Sequence, residues 1–321
     1  MRILIVKTSS LGDVVHALPV ATDLRRAYPR LSIDWCVEEA FAAIPRLHPA
    51  IDRVLPVAVR RWRKHPFAAA TWRQILAFRR QLRATDYAAI LDLQGLLKSA
   101  LIARQACGPV CGYAAEAARE PLAARFYDAT FVIPKTAHAV ERNRWLAAAA
   151  LDLPLAEVLG RGLDYGIIAP PASDNWLPQN PYVVCLTASS RSDKLWPEGH
   201  WLTLGHRLHA DGLAMVFPAG SATERQRAER LAAALPDARV APPLTIDVLA
   251  SLLAGAVGAI GVDTGLTHLA AALNRPTVAI YTASEPGLTG VLGTAPFRNL
   301  GGRGNLPEPD AVATAFADCR S

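Results

Sequence analysis

The sequence predicts an α/β protein made of two doubly wound, Rossmann-like parallel-sheet domains in tandem. Three observations predict it. Short apolar runs alternate with longer amphipathic stretches from end to end, as when helices cover both faces of a parallel sheet. The length of 321 residues suits two domains of roughly 100 to 200 residues each. A Pro- and Gly-bearing stretch, 160–181, has no sustained period and reads as a linker, which puts the domains at 1–165 and 166–321.

The first series opens with the strand-like RILIVKT and a helix over 13–28. Strands SIDWCVE and AAILDLQ follow, then helices over 96–104 and 138–151. After the linker the count restarts. Strands YVVCLTA, LAMVFPA, GAIGVDT and TVAIYTA alternate with helices over 199–210, 223–235, 245–256 and 266–273. A final helix over 309–319 could pack on either domain, or cross back to the first. Open parallel sheets bind ligands beyond the carboxyl ends of their strands. Two such domains facing each other would place a cleft between those edges, so the loops after strands are where chemistry is expected.

Composition narrows the classes. With 51% hydrophobic and 19% charged residues, the chain lies far from the balance of disordered segments. Lys7 interrupts the apolar opening, so no signal peptide is expected. The longest uncharged stretch, 248–262, is too short for a membrane span. Five scattered cysteines without a C-x-x-C pair read as reduced cytoplasmic thiols. To Asp164 there are 23 Lys and Arg against 15 Asp and Glu, a balance of +8; the remaining 11 against 13 give −2. A basic first half suits an anionic ligand: nucleic acid, lipid or acidic saccharide.

Four segments carry the chemistry. In KTSSLGDVVHALP, Lys7, Ser9, Ser10, Gly12 and Asp13 lie between a strand and a helix. Asp13 beside a helix start would stay ionised and could take a proton from a sugar hydroxyl, although the same position also suits a helix cap. In TASSRSDKLWPEGHW, Ser189, Ser190 and Lys194 could hold a diphosphate and neutralise its charge as it leaves. In GVDTGLTHLAAAL, Asp263 and Thr264 precede a helix start where Gly265 would allow a tight turn, and His268 lies one turn in. The run Arg60, Arg61, Trp62, Arg63, Lys64 is the densest positive patch, and Arg119, His138 and Arg142 add further polar groups.

Other signals are missing or incomplete. The D-T-G triplet occurs once, whereas an aspartic protease needs two such carboxylates. There is no G-x-x-x-x-G-K, strand-linked G-x-G-x-x-G or G-x-S-x-G, and no nucleic-acid module accompanies the basic run.

With these segments in hand, the chain resembles the lipopolysaccharide heptosyltransferases, glycosyltransferase family 9. The likeness runs through KTSSLGDVVHALP, VEEAFAAIP, PVAVRRWRK, DLQGLLKSA, AREPLA, AVERNR, DKLWPEGHW and VDTGLTHLAAAL in that order. It implies a GT-B architecture of two facing Rossmann-like domains, the first holding the acceptor and the second the nucleotide sugar. The activity it implies is inverting transfer of L-glycero-D-manno-heptose from ADP-heptose to Kdo2-lipid A. Asp13 would be the base. Ser189, Ser190, Lys194, Glu224, Leu244, Asp263, Thr264, Gly265 and His268 would bind the donor. Lys7, Arg60, Arg61, Arg63, Lys64, Arg119, His138 and Arg142 would hold the acidic acceptor. Ser189 and Ser190 stand where threonines are expected, and Leu244 where a longer apolar side chain would pack the adenine. No cofactor or metal is expected, since no D-x-D pair offers ligands near the diphosphate. The protein is expected in the cytoplasm, in peripheral contact with the anionic cytoplasmic face of the inner membrane and without a nucleic-acid partner. A heptosyltransferase for a later core position, or an acceptor-independent nucleotide-sugar epimerase, is the alternative.

Overall fold

The computed structural model describes residues 1–172, 175–189 and 191–321. The chain divides into two compact units, Met1–Ile167 and Ile168–Ser321. The first contains strands β1 (Arg2–Val6), β2 (Ser32–Glu38), β3 (Arg53–Val57), β4 (Ala89–Asp92), β5 (Val110–Tyr113) and β6 (Ala129–Phe131). The second contains β7 (Tyr182–Leu186), β8 (Ala214–Phe217), β9 (Ala238–Val240), β10 (Gly258–Val262), β11 (Thr277–Tyr281) and β12 (Phe297–Gly301).

Both sheets are parallel and share one topology. The first runs β3-β2-β1-β4-β5-β6 and the second β12-β11-β10-β7-β8-β9, which is the same order read from the other edge. This is the Rossmann order, in which the winding direction reverses beside the first strand and leaves a crevice at the carboxyl ends. In the first unit the reversal lies between β1 and β4, paired in register with Ile3 opposite Ala89. In the second it lies between β7 and β10, with Val184 opposite Ala259.

The central strands are apolar almost throughout because helices cover both faces. β7 and β10 are buried at every position, and β1 at all but Arg2. In the second core Trp196 and Trp201 are fully buried, their rings 5.1 Å apart and edge to face. That core also takes in Val312, Ala315, Phe316 and Cys319 of the helix Pro309–Arg320. The final helix therefore packs on the second unit.

Other expectations are corrected in detail. The helix expected over 13–28 is two helices, Leu11–Val15 and Leu18–Ala27, the second with Pro19 in its first turn where no amide hydrogen is needed. Asp13 thus sits within the first turn of a helix and not ahead of it. The stretch 160–181 is not wholly a linker. Its beginning belongs to the first unit, where Tyr165 and Ile167 are buried. Gly166 has φ +66° and lies so close to His48 and Thr22 that a Cβ would fall 2.4 Å from His48 Nε2. Strands β3, β5, β6, β9 and β12 and the helix Ala69–Arg83 have no counterpart in the elements read from the sequence.

Candidate functional site

In the first unit the candidate residues all follow the carboxyl ends of strands: Lys7 to Asp13 after β1, Arg60 to Lys64 after β3, Arg119 after β5, and His138 and Arg142 after β6. Asp13 is anchored by its own turn. Its Oδ2 accepts hydrogen bonds from Ser10 N at 2.8 Å and Ser10 Oγ at 3.0 Å, as in a capping box. Its Oδ1 lies 3.5 Å from Arg119 Nη1. One oxygen of the carboxylate is thus engaged in the cap, while the other faces Arg119. Burial works against its charge, but Lys7, Arg119 and the Ser10 hydrogen bonds outweigh it and hold the carboxyl below its usual pKa. Asp13 is ionised at neutral pH.

Lys7 sits beneath this loop, 6% exposed. Its Nζ donates to Leu93 O at 2.6 Å and to Asn143 Oδ1 at 3.2 Å. Burial lowers its pKa from 10.5 to about 8, with the Asp13 carboxylate opposing the shift. Its ammonium is therefore part of the site's floor and a source of field on Asp13, not a hand extended to a ligand.

Several positioning residues had not been singled out in the sequence. Gln94, on the loop after β4, accepts from Thr8 N at 2.9 Å and Ser9 N at 3.2 Å and donates back to Ser9 O. One amide thereby locks the loop after β1 to the loop after β4 across the reversal point. Buried Asp92 accepts from Gln94 N at 2.9 Å, Ser99 Oγ at 2.8 Å and Tyr127 OH at 2.8 Å. Gly95, at φ +68°, makes the turn that follows, and a Cβ there would meet the Tyr113 ring at 3.1 Å. Gln94 and Asp92 lie within the segment DLQGLLKSA, but nothing in that run of letters reveals that an amide side chain bridges two loops 86 residues apart.

Arg119 and Arg142 join the Asp13 group. Arg142 stacks over the Tyr113 ring at 4.9 Å and donates to Ala117 O at 2.6 Å. His138 caps the helix Ala139–Ala150, its Nδ1 accepting from Val140 N at 3.2 Å, and its ring lies 5.7 Å from that of His16. The Arg60 to Lys64 run stands apart, beside the end of β2. Arg61 grips Glu39 through two hydrogen bonds of 2.9 Å, and Arg60 lies over Phe41 at 5.0 Å. Arg63 and Lys64 are exposed. Arg61 is thus already neutralised by a carboxylate, while among the described residues Arg63 and Lys64 form no ion pair.

In the second unit the candidates again leave the carboxyl ends of neighbouring strands. Asp263, after β10, is the hub. Lys194 Nζ donates to its Oδ2 at 2.6 Å, Ser284 Oγ donates to the same oxygen at 2.6 Å, and His268 Nε2 lies 3.9 Å from Oδ1. Ser189 Oγ donates to its backbone carbonyl at 3.4 Å. Burial would raise the Asp263 pKa, but hydrogen bonds from His268, Lys194 and Ser284 and the Lys194 charge hold it far below the usual range. Ser284 is a member of this cluster that the sequence did not suggest. Ser190 lies outside the described residues.

Thr264 stands at the N-cap position of the helix Gly265–Ala272 without a side-chain capping bond, and Gly265 is the first helical residue. The left-handed glycines lie elsewhere among the described residues, so the turn here uses ordinary backbone and the tight turn expected of Gly265 is not made by positive φ. His268 is buried beside Asp263. Glu224 begins the helix after β8, where its Oε2 accepts from Gly220 N at 2.7 Å and its own N–H donates to Ser221 Oγ. Leu244 is half-buried in the loop between β9 and the helix Ile246–Gly255.

Known proteins match along this whole frame. Residues 75–312 match the model of glycosyltransferase family 9 (heptosyltransferase). Lipopolysaccharide heptosyltransferase 1 of Pseudomonas aeruginosa is 48% identical over 297 residues, which are 91% of this chain and 82% of that protein. Its Escherichia coli K12 counterpart is 45% identical over 294 residues, 91% of each chain. The structure of E. coli heptosyltransferase WaaC with ADP superposes with a TM-score of 0.88 at 40% identity, covering 99% of this chain and 100% of that one. The fold is accordingly of the GT-B type, and the chain belongs to glycosyltransferase family 9, the heptosyltransferases.

Proposed function

We propose that this protein transfers a heptose from ADP-heptose to Kdo2-lipid A in building the lipopolysaccharide inner core. The observation that carries the reading is Asp13: a carboxylate kept ionised on the loop that leaves the carboxyl end of β1, with one oxygen fixed in a helix cap and the other 3.5 Å from Arg119 Nη1. The proposal is supported by relatives named lipopolysaccharide heptosyltransferase 1 and by the likeness to WaaC solved with ADP-2-deoxy-2-fluoro heptose, 39% identical with a TM-score of 0.84.

In this reading the first unit binds the acceptor through Arg119, Arg142 and the Arg60 to Lys64 run, and the second binds the donor. Asp13 Oδ1 takes the proton of an acceptor hydroxyl. The hydroxyl oxygen bonds to the anomeric carbon as the bond from that carbon to the diphosphate oxygen breaks, with inversion. ADP leaves with the bonding electrons, and its charge is met by Lys194, which exchanges Asp263 for the diphosphate, and by the helix start at Gly265. No metal enters this scheme. The acceptor's lipid anchor puts the protein at the cytoplasmic face of the inner membrane as a peripheral protein; no helix among the described residues is long and apolar enough to cross a membrane.

Incubation with ADP-heptose and Kdo2-lipid A tests the reading directly. A product heavier by one heptose residue is expected, with donor unchanged when acceptor is omitted. Turnover of donor alone would indicate an epimerase and overturn the proposal.

A further inference from the structure

The first unit carries a second basic surface that the transfer reaction does not use. Between Asp52 and Asp86 the sequence has no acidic residue. The helix Ala69–Arg83 turns Thr71, Phe78 and Leu82 into the core. An exposed flank carries Trp72, Leu76, Arg79, Arg80 and Arg83, spaced as one helical stripe. Large apolar side chains lie open at its beginning: Phe67 is 95% exposed, Trp72 56% and Leu76 47%. Trp72 is held outward by its indole N–H, which donates to Pro66 O at 2.9 Å. Further along, Leu76, Arg79, Arg80 and Arg83 line an open depression of about 420 Å³. Among the described residues Arg73, Arg79, Arg80 and Arg83 form no ion pair with a carboxylate. An ordinary solvated helix face would mix both signs, and Phe67, just ahead of the helix, adds a large apolar side chain standing almost wholly in water.

We propose that this face lies on an anionic lipid bilayer. Phe67, Trp72 and Leu76 would enter the boundary between headgroups and acyl chains, and Arg79, Arg80 and Arg83 would take lipid phosphates. Aromatic and aliphatic tips next to arginines with no acidic neighbour are the combination that binds such an interface, since apolar burial and electrostatic attraction then add. The position supports the same partner. Phe67 and Trp72 follow the segment that leaves the carboxyl end of β3, on the sheet edge that also carries Asp13. A bilayer on this face would lie beside the edge at which a lipid-linked acceptor is taken up. The inference deepens the peripheral contact proposed above and rests on it for the identity of its partner.

The test uses the full chain and vesicles of phosphatidylcholine with or without phosphatidylglycerol, read by flotation. The wild type should float with the phosphatidylglycerol vesicles, weakly with pure phosphatidylcholine, and less as salt rises. Phe67→Ser with Leu76→Ser, and separately Arg79→Glu with Arg80→Glu, should each weaken binding to the anionic vesicles by about tenfold or more. Both pairs should keep the wild-type thermal midpoint and unaltered transfer to a detergent-dispersed acceptor. If both pairs float as the wild type does, this face is not the docking surface, though peripheral contact would stand. If the wild type does not float with anionic vesicles, docking and peripheral contact both fail, whatever the transfer assay gives. Loss of binding in the arginine pair alone, together with retention of a single-stranded oligonucleotide by the wild type, would replace the bilayer with nucleic acid and overturn the proposal.

Discussion

Lys194 Nζ stands 2.6 Å from Asp263 Oδ2, and this ion pair joins the loop after β7 to the loop after β10 across the second unit's reversal point. Both side chains are largely withdrawn from water, so the pair is much less screened than a surface one. Ser284 shares the same carboxylate oxygen. The ammonium is thus held where the crevice begins, in a position to trade one anion for another.

If that exchange is right, Lys194→Ala should lower turnover by about 10² or more, the cost typical of removing a preorganised charge partner at a leaving group. Lys194→Arg should restore part of it. In the wild type, excess chelator should leave the rate unchanged. A rate abolished by chelation and restored by magnesium would show that a cation, and not Lys194, meets the diphosphate.

Asp13→Ala should lower turnover by roughly 10² or more while leaving ADP binding and the unfolding midpoint nearly intact. Ser10→Ala removes only the hydroxyl's 3.0 Å bond to Oδ2 and keeps the backbone one, so its loss should be much smaller. Turnover near wild type in Asp13→Ala would leave the residue with its capping role alone.

Neutralising Arg60 and Arg63 together should raise the acceptor KM and leave the affinity for nucleotide sugar unchanged, since both follow β3 in the first unit. Titration calorimetry with ADP separates the two effects. Weakened ADP binding with a normal acceptor KM would assign the wrong ligand to this unit.

Arg144 and Asp23 form a buried two-pronged pair, with bonds of 2.7 and 3.1 Å, and Arg144 also donates to Val158 O and Gly162 O. Arg144→Ala would leave the Asp23 charge and two carbonyls without that partner. A loss of about 3 to 5 kcal/mol is expected in denaturant unfolding. A change below about 1 kcal/mol would mean that water reaches the site and replaces the guanidinium.

His48 supplies a pH dependence. Its Nδ1 accepts from Ala50 N at 3.1 Å, so Nε2 carries the proton and faces Thr22 Oγ1 at 2.9 Å. Burial lowers its pKa from 6.5 to about 4. Between those values the unfolded chain binds a proton that the folded one does not. Its contribution is therefore complete above about pH 6.5 and is lost as the pH falls toward 4, a loss on the order of 3 kcal/mol. His48→Asn keeps an acceptor for Ala50 and should flatten this part of the stability profile. An unchanged slope would assign the acid sensitivity to other groups.

Much of the candidate site is legible in the sequence because its residues follow apolar runs at carboxyl ends, a local pattern that a parallel sheet turns into a crevice. Asp13, Asp263 and Lys194 could each be found in this way. Their partners could not. Gln94 reads as one polar letter in DLQGLLKSA until β4 lies beside β1, and Ser284 as a loop serine until β11 lies beside β10. The short strands β5, β6 and β9 and the edge strand β3, interrupted by Pro56, carry too few apolar positions to announce themselves. The basic run at Arg60 likewise gave no sign that Glu39 would take up Arg61.

The order of apolar runs and turn residues by itself determined two doubly wound units and which loops would hold chemistry, because strand burial and helix amphipathicity are written in nearest-neighbour periods. Only the tertiary structure decided which charges remain free. An ammonium becomes the floor of a site at Lys7 or a partner to a carboxylate at Lys194, and an arginine stays open at Arg63, according to neighbours contributed by distant strands. Electrostatic energy depends on distance and solvent access, and neither can be read from spacing along the chain.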